Sequence, residues 1–362
     1  MVQELTRSPS PVVRNNCLVA LADMCIHFTA LVDSYLPRLS ALIRDPHDLV
    51  RKQALALLAN LLMKDYVKWR GALFHRFALA LVDSCAEVRQ LAEYLLGDTL
   101  ATKAPLLAYN HFVEAIFVLN GCQAGLYAGR IGGGGGPGGG PASASQAADA
   151  LAAAADPTGA FSLKGESSEM RRLAVVLRRA QRDVVYHTLL RRMSPEHKFA
   201  TQAKLVAEVL GAVADGLLPL QEQGAAEVLG DALRLLASKH IKVSTSRMVA
   251  GDEDALMAAA GGEAAGAGAT QAVAEVAKAK GKLVSAMMKK HLVESVVPLL
   301  VELKAMLSET RHPLLGPLMT CMVALLREHK GELEDILVAH KQLAKELLFD
   351  MKQAEVAAKQ QA

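Results

Sequence analysis

Three near-copies of one phrase fall within roughly the first hundred residues: VRNNCLVAL from Val13, VRKQALALL from Val50 and VRQLAEYLL from Val88. The Val-Arg pairs recur at roughly 37–38 residues, within the range of helical solenoid arrays. A unit of that length cannot bury its apolar face alone, so neighbouring units must stack. This constrains the fold more than any other feature, and it leaves little room for a convergent catalytic pocket.

Each copy opens with a turn and a helix start. Ser10-Pro11 precedes the first, Asp45-Pro46 the second and Ser84-Cys85-Ala86 the third. Ser and Asp accept bonds from free backbone N–H groups, and Pro fits the first helical position. Val50, Ala54, Leu57, Leu58 and Leu61 then share one helical face, as do Val88, Leu91, Ala92, Leu95 and Leu96. Cys17, Ala54 and Ala92 are small at one equivalent place, allowing a partner helix to approach closely. A first helix precedes the second copy (Tyr35 to Arg44) and the third (Gly71 to Val82). Helix, tight turn, helix at this period is the HEAT-type unit, so the expected fold is an all-α, armadillo-like solenoid. Arg14, Arg51 and Arg89 recur with acids upstream, Asp45 before Arg51 and Asp83 before Arg89, while Ser8 replaces the acid before Arg14. A structural ladder of Asp and Arg along the stacked turns is expected.

Composition agrees. Of 362 residues, 52% are hydrophobic but only 4% aromatic, which reads as Ala- and Leu-driven helix. The net charge of +3 gives no global field toward nucleic acid. The five Cys are scattered without a CxxC pair, so buried, reduced thiols are expected. The start MVQELTRSPSP lacks the apolar core of a signal peptide, and no apolar run reaches membrane-spanning length. Because the chain begins just before the second helix of a repeat, further repeats upstream are expected.

The sequence divides into HEAT repeats over 1–120, a Gly/Ala-rich insert over 121–160, helical repeats with a basic helix over 161–248, a low-complexity insert over 249–270, and a C-terminal repeat with a long terminal helix over 271–362. The inserts read as disordered, and about 40 such residues would span roughly 35 Å. In the third segment a helix over MRRLAVVLRRAQRDVVYHTLLRRM, from Met170 to Met193, ends before Ser194-Pro195. Pro298 in VVPLLVEL occupies the place of Pro37 in YLPRLSAL.

No chemistry-bearing motif emerges. The glycine run lacks the Lys-Ser or Lys-Thr of a phosphate loop, and GxSxG, HExxH and Cys/His metal spacings are missing. No catalytic residue, cofactor, metal site or small-molecule substrate is expected. His187 reads as a core or half-buried side chain. One electrostatic concentration stands out: between Lys164 and Lys204, ten Lys or Arg against four acids leave +6. On a continuous helix Arg171, Arg178 and Arg182 share a face, with Arg172 and Arg179 beside them, and Leu173, Leu177, Ala180 and Val184 lie opposite. The face is either a solvated amphipathic surface or a contact for DNA phosphates or an acidic partner. Without interleaved aromatics, any contact is to backbone rather than bases. Ser8-Pro9, Ser10-Pro11 and Ser194-Pro195 suit both helix capping and proline-directed phosphorylation, and capping is favoured.

Some words are not generic. DLVRKQALALLANLLMKDYVKWRGALFHRFALALVDS from Asp48, VVRNNCLVALADMCI near the start, HFVEAIF from His111, FSLKGESSEMRR from Phe161, ADGLLPL from Ala214 and HKQLAKELLFDMK near the end resemble, with matching order along the chain, the C-terminal portion of the D-type HEAT subunits of condensin II. The resemblance covers about four fifths of the chain, and KWRGALF and FSLKG are its specific landmarks. It implies a non-enzymatic subunit, typically nuclear and chromosomal, acting in mitotic chromosome condensation. It further implies that the chain clasps the kleisin linking two SMC ATPases and helps present chromatin DNA or histones, with no membrane partner. ATP chemistry would belong to the partners, and no catalytic or contact residue transfers. The alternative is another HEAT scaffold, such as a nuclear transport receptor or a phosphatase scaffold.

Overall fold

A computed structural model describes residues 7–28, 35–122, 175–241 and 289–327, together with isolated positions 342, 344, 345, 348, 349 and 352. The two inserts, the start of the terminal helix and FSLKG lie outside the described residues. Two compact units emerge: Met1–Met193 with Glu222–Ala225, and Ser194–Gln221 with Ala226–Ala362.

The first unit is the expected HEAT-type array. Its helices are α1 (Pro11–His27), α2 (Leu36–Ala41, tightening into a 3₁₀ turn at Leu42–Arg44), α3 (Asp48–Met63), α4 (Gly71–Ala80), α5 (Ala86–Tyr94), α6 (Leu107–Leu119) and α7 (Arg179–Arg191). α5 continues through a π-helical turn, Leu95–Thr99, into Leu100–Lys103. First helices stack on first helices, α2 on α4 on α6, and second helices stack likewise, α1 on α3 on α5. The repeat phrase explains this. Val50, Ala54, Val88 and Ala92 are fully buried, so the seam between second helices is closed by small and β-branched side chains. Val13 of the first copy is instead exposed. α4 is buried at all ten positions, as an apolar helix between neighbours must be.

The turns are built alike. Ser8 Oγ, Asp45 Oδ1 and Asp83 Oδ1 each accept from the backbone N–H two residues on, at Ser10, His47 and Cys85. The repeat acids thus hold the turn itself, while Ser10, His47 and Cys85 occupy the N-cap positions. Ser194 does cap its helix, its Oγ accepting from His197 N at 3.2 Å. Cys25, Cys122 and Cys321 are buried and Cys17 and Cys85 half-buried, none of them in a disulfide.

Between α6 and α7 the chain leaves and returns at one point. Val175 N donates to Val118 O at 2.9 Å, and Leu177 N donates to Leu119 O at 3.1 Å. Asn120 and Val176 form an antiparallel bridge. α6 and α7 pack together as the two helices of a fourth unit, so residues 123–174 are inserted in the turn of that unit. Replacing 123–174 by about five Gly and Ser residues should therefore leave stability equal or raised by up to about 2 kcal/mol, since a shorter connection is easier to close. A fall in the melting temperature of the shortened chain would show that 123–174 contributes packing of its own.

In the second unit, α8 runs from Pro195 to Lys204 and continues through a π-helical turn, Leu205–Leu210, into Gly211–Ala214. The apolar positions of these three stretches follow one another without a break. The helix stops at Gly216, whose φ of +69° favours glycine. α9 spans Ala225–Ala237, α10 Val297–Glu309 and α11 Leu315–Leu326. α10 packs against α11 and against the continuation of α8, burying Leu300, Leu303, Leu307 and Leu318. Pro298 sits two residues beyond a π-helical turn, Leu292–Val296, which accommodates its missing N–H.

Candidate functional site

Two arrangements stand out: the Arg-lined turns with the basic helix, and a buried imidazole–carboxylate cluster.

In the turns, each Arg reaches back, and Arg14 and Arg51 also reach forward. Arg14 Nη1 donates to the carbonyls of Ser8 (2.8 Å) and Pro9 (3.1 Å), and Arg51 Nη1 to those of Asp45 (2.8 Å) and Pro46 (3.0 Å). Arg89 Nη1 repeats this at Asp83 (2.6 Å) and Ser84 (3.0 Å). In Arg14 and Arg51 the remaining guanidinium atoms reach the acid of the next turn. Arg14 Nε and Nη2 donate to Asp45 at 2.7 and 2.8 Å. Arg51 Nη2 donates to Asp83 Oδ1 at 2.9 Å, with Nε 2.9 Å from Oδ2. Each acid therefore serves its own turn and the preceding Arg at once. Arg89 is exposed and has no carboxylate partner among the described residues. Lys52 pairs with Glu87 on the same stack.

The basic helix differs from the sequence expectation. Residues 175–177 are extended, so Arg178 is an N-cap with ψ of 148° rather than a mid-helix residue. The ladder bonds to Val118 and Leu119 override the helical pattern, and the two β-branched residues Val175 and Val176 favour the extended form. Arg171 and Arg172 lie outside the described residues. Arg178 and Arg179 are exposed. Arg182 is not on their face: it is buried, and its Nη1 donates to Leu177 O at 2.6 Å. That bond to the carbonyl five residues back repeats the Arg51–Pro46 bond, so Arg182 takes the place of the repeat Arg in the fourth turn. The buried face is Arg182, Val185, Tyr186, Leu189 and Leu190, while Val184 is exposed. His187, expected to be at least half-buried, is exposed. Arg191 and Arg192 are taken up by α5 and its continuation, pairing with Glu93 and Asp98 at 2.8 Å each. Much of the local positive charge is thus engaged in holding α7 against α5.

The second site joins α4 to α6. Glu114 Oε2 lies 2.9 Å from His111 Nδ1 and 3.2 Å from His75 Nε2. Burial pushes the Glu114 carboxyl up, but the hydrogen bond from His111, the contact with His75 and their positive charge hold it well below the usual carboxylate range. Phe74 stacks on the His111 ring, centroids 4.9 Å apart at 24°. His75 is fully buried, and neither ring nitrogen makes an aligned hydrogen bond, the 3.2 Å approach to Glu114 being off the N–H direction. The sequence pattern had suggested no such cluster. Its signal was available: His75 and His111 are about one repeat apart, which places them alike on consecutive first helices, and His111 and Glu114 are one helical turn apart.

An apolar crevice bordered by Leu96, Ala104, Leu107, Leu189 and Arg192 holds about 20 Å³, room for one water and far short of a small-molecule site of roughly 300 Å³. No helix among the described residues is long and apolar enough to cross a membrane.

Comparison with known proteins adds a family. The family model "Condensin-2 complex subunit D3-like. HEAT repeats" matches residues 239–362, and that of non-SMC mitotic condensation complex subunit 1 matches residues 12–127. The chain is 41% identical over 355 residues to Condensin-2 complex subunit CAP-D3 of Arabidopsis thaliana, covering 98% of this chain and 24% of the relative. It is 31% identical over 358 residues to Condensin-2 complex subunit D3 of Mus musculus, covering 97% of this chain and 21% of the relative. Condensin complex subunit 1 of Homo sapiens is 40% identical over 122 residues, covering 34% of this chain and 8% of the relative. The chain thus spans at most about a quarter of the length of these curated relatives. No solved structure matches it significantly.

Proposed function

This chain belongs to the D3-like HEAT-repeat family of condensin-2 subunits, and from that premise we propose that it is a non-catalytic scaffold segment acting on nuclear chromosomes during mitotic condensation. It binds the kleisin subunit beside the SMC ATPases and carries chromatin DNA or histones to them. The observation that carries this reading is the extent and order of the similarity. Two condensation-subunit models flank the insert in sequence, and D3 relatives align over 97–98% of the chain. The stacked helices support it physically, since a solenoid offers long binding surfaces without a reaction centre. Co-purification of this chain with the condensin-2 kleisin and SMC subunits is the direct test. Recovery of a transport GTPase or a phosphatase instead would favour the alternative HEAT scaffolds.

Arg171, Arg172, Arg178 and Arg179 are the proposed phosphate-binding residues. Reversing all four to Glu should weaken duplex DNA binding and flatten its salt dependence by about 0.9 in log–log slope for each phosphate no longer neutralised. Unchanged binding and slope would return these residues to a solvated surface. Arg182 belongs outside this set, because its guanidinium serves the turn at Leu177.

A further inference from the structure

The scaffold reading makes no use of His75, His111 and Glu114. One ligand atom from each lies within 4.8 Å of the others. Two of the three separations, 3.2 Å from His75 to Glu114 and 2.9 Å from His111 to Glu114, are close to the edge of roughly 3.3 Å between ligands of a tetrahedral ion bound at about 2.05 Å. Buried imidazoles ordinarily find partners, yet His75 has no aligned one although it is fully buried. The His111 ring is held by its stack on Phe74. Gly71 leaves room at the edge of the cluster: a Cβ there would lie 3.4 Å from Glu114 and 3.6 Å from the His111 ring.

We propose that His75 Nε2, His111 Nδ1 and Glu114 Oε2 bind one divalent transition metal of the zinc class and clamp α4 to α6, with water in the fourth position. Two imidazoles and one carboxylate suit zinc, whereas magnesium and calcium favour all-oxygen shells. The ion gives the buried His75 nitrogen a partner and cross-links two consecutive first helices. The role is structural, because both imidazoles are buried in the stack and the crevice beside Phe74 holds only about 20 Å³. His75 Nδ1 has no hydrogen-bond partner, so the outer shell is incomplete and the affinity falls about 10–100-fold below that of a fully supported site.

The test uses the full chain, purified on a tag without histidine, stripped with EDTA and then dialysed against zinc chloride. The expected result is one zinc per chain by mass spectrometry. The melting temperature should be about 5–10 °C higher in zinc at a hundredfold excess over Kd than in EDTA. Cobalt(II) alone should give the visible absorption of a tetrahedral ion. Glu114→Gln and His111→Asn should each remove the bound zinc and the thermal shift while keeping the helical circular dichroism. A wild-type chain that retains no zinc and melts identically in zinc and EDTA overturns the proposal, whatever the variants do. Zinc retained equally by both variants also overturns it, since the ion then sits elsewhere.

Discussion

Asp45→Ala is expected to lower the stability of the first unit by about 3 kcal/mol, the usual cost of stripping one partner from a buried ion pair. Asp45 accepts two bonds from Arg14, at 2.7 and 2.8 Å, and one from His47 N at 2.8 Å. Its removal leaves a buried guanidinium with the Ser8 and Pro9 carbonyls and opens the turn that starts α3. Urea denaturation measures the loss, and a change below about 1 kcal/mol would reduce the pair to a surface-like interaction. Replacing both partners, Arg14→Met with Asp45→Leu, should recover part of it, because no charge is then left buried alone. The pH dependence has a definite sign. Burial pushes the Asp45 carboxyl up, but the bond from Arg14, the backbone bond from His47 and their charges outweigh it, so the folded value lies below the ordinary one. Its contribution is therefore present above the unfolded value of about 3.9 and is lost as pH falls through the folded value. Wild type and Asp45→Ala should converge in stability on acidification and differ most near neutrality.

Tyr186→Ala is expected to cost about 4 kcal/mol, and Tyr186→Phe about 1 kcal/mol. Tyr186 is fully buried on α7, its ring centroid 6.0 Å from that of Phe112 on α6, with its hydroxyl 3.4 Å from Asn120 Nδ2. The ring fills the interface that reunites the chain after residues 123–174. Truncation opens a cavity there, while Phe keeps the volume and gives up only the hydroxyl. Hydrogen exchange resolves the effect: the α7 amides should lose protection first in Tyr186→Ala. Uniform loss across the unit would show that α7 does not open separately.

The legible part of this protein was the part written at the repeat period. Val50, Ala54, Val88 and Ala92 fall on the seam that the helical pattern assigns them, and the first helices before the second and third copies are present. The recurrent Arg and Asp residues marked positions that the structure joins by ion pairs. The basic helix was less legible. A helical pattern runs unbroken from Met170 to Met193, and nothing local in it discloses that Val175 and Leu177 bond to Val118 and Leu119. That long-range ladder turns Arg178 into a cap and carries Arg182 inward. The His75–His111–Glu114 cluster was legible only by applying the repeat period to histidines, which a search for fixed metal spacings passes over.

By itself, the sequence determined the unit, its period, its two helices and the residues of its turn, because each of these depends on interactions within a few residues or on a pattern repeated with the unit. The tertiary structure alone decided which side chain meets which. Arg14 finds its acid in the next turn, thirty-one positions away, and Asn120 meets Val176 across an insertion whose length carries no information about where it ends. Such partners are chosen by the stacking of neighbouring units, which buries one guanidinium and leaves another in solvent although both stand in the same short basic run.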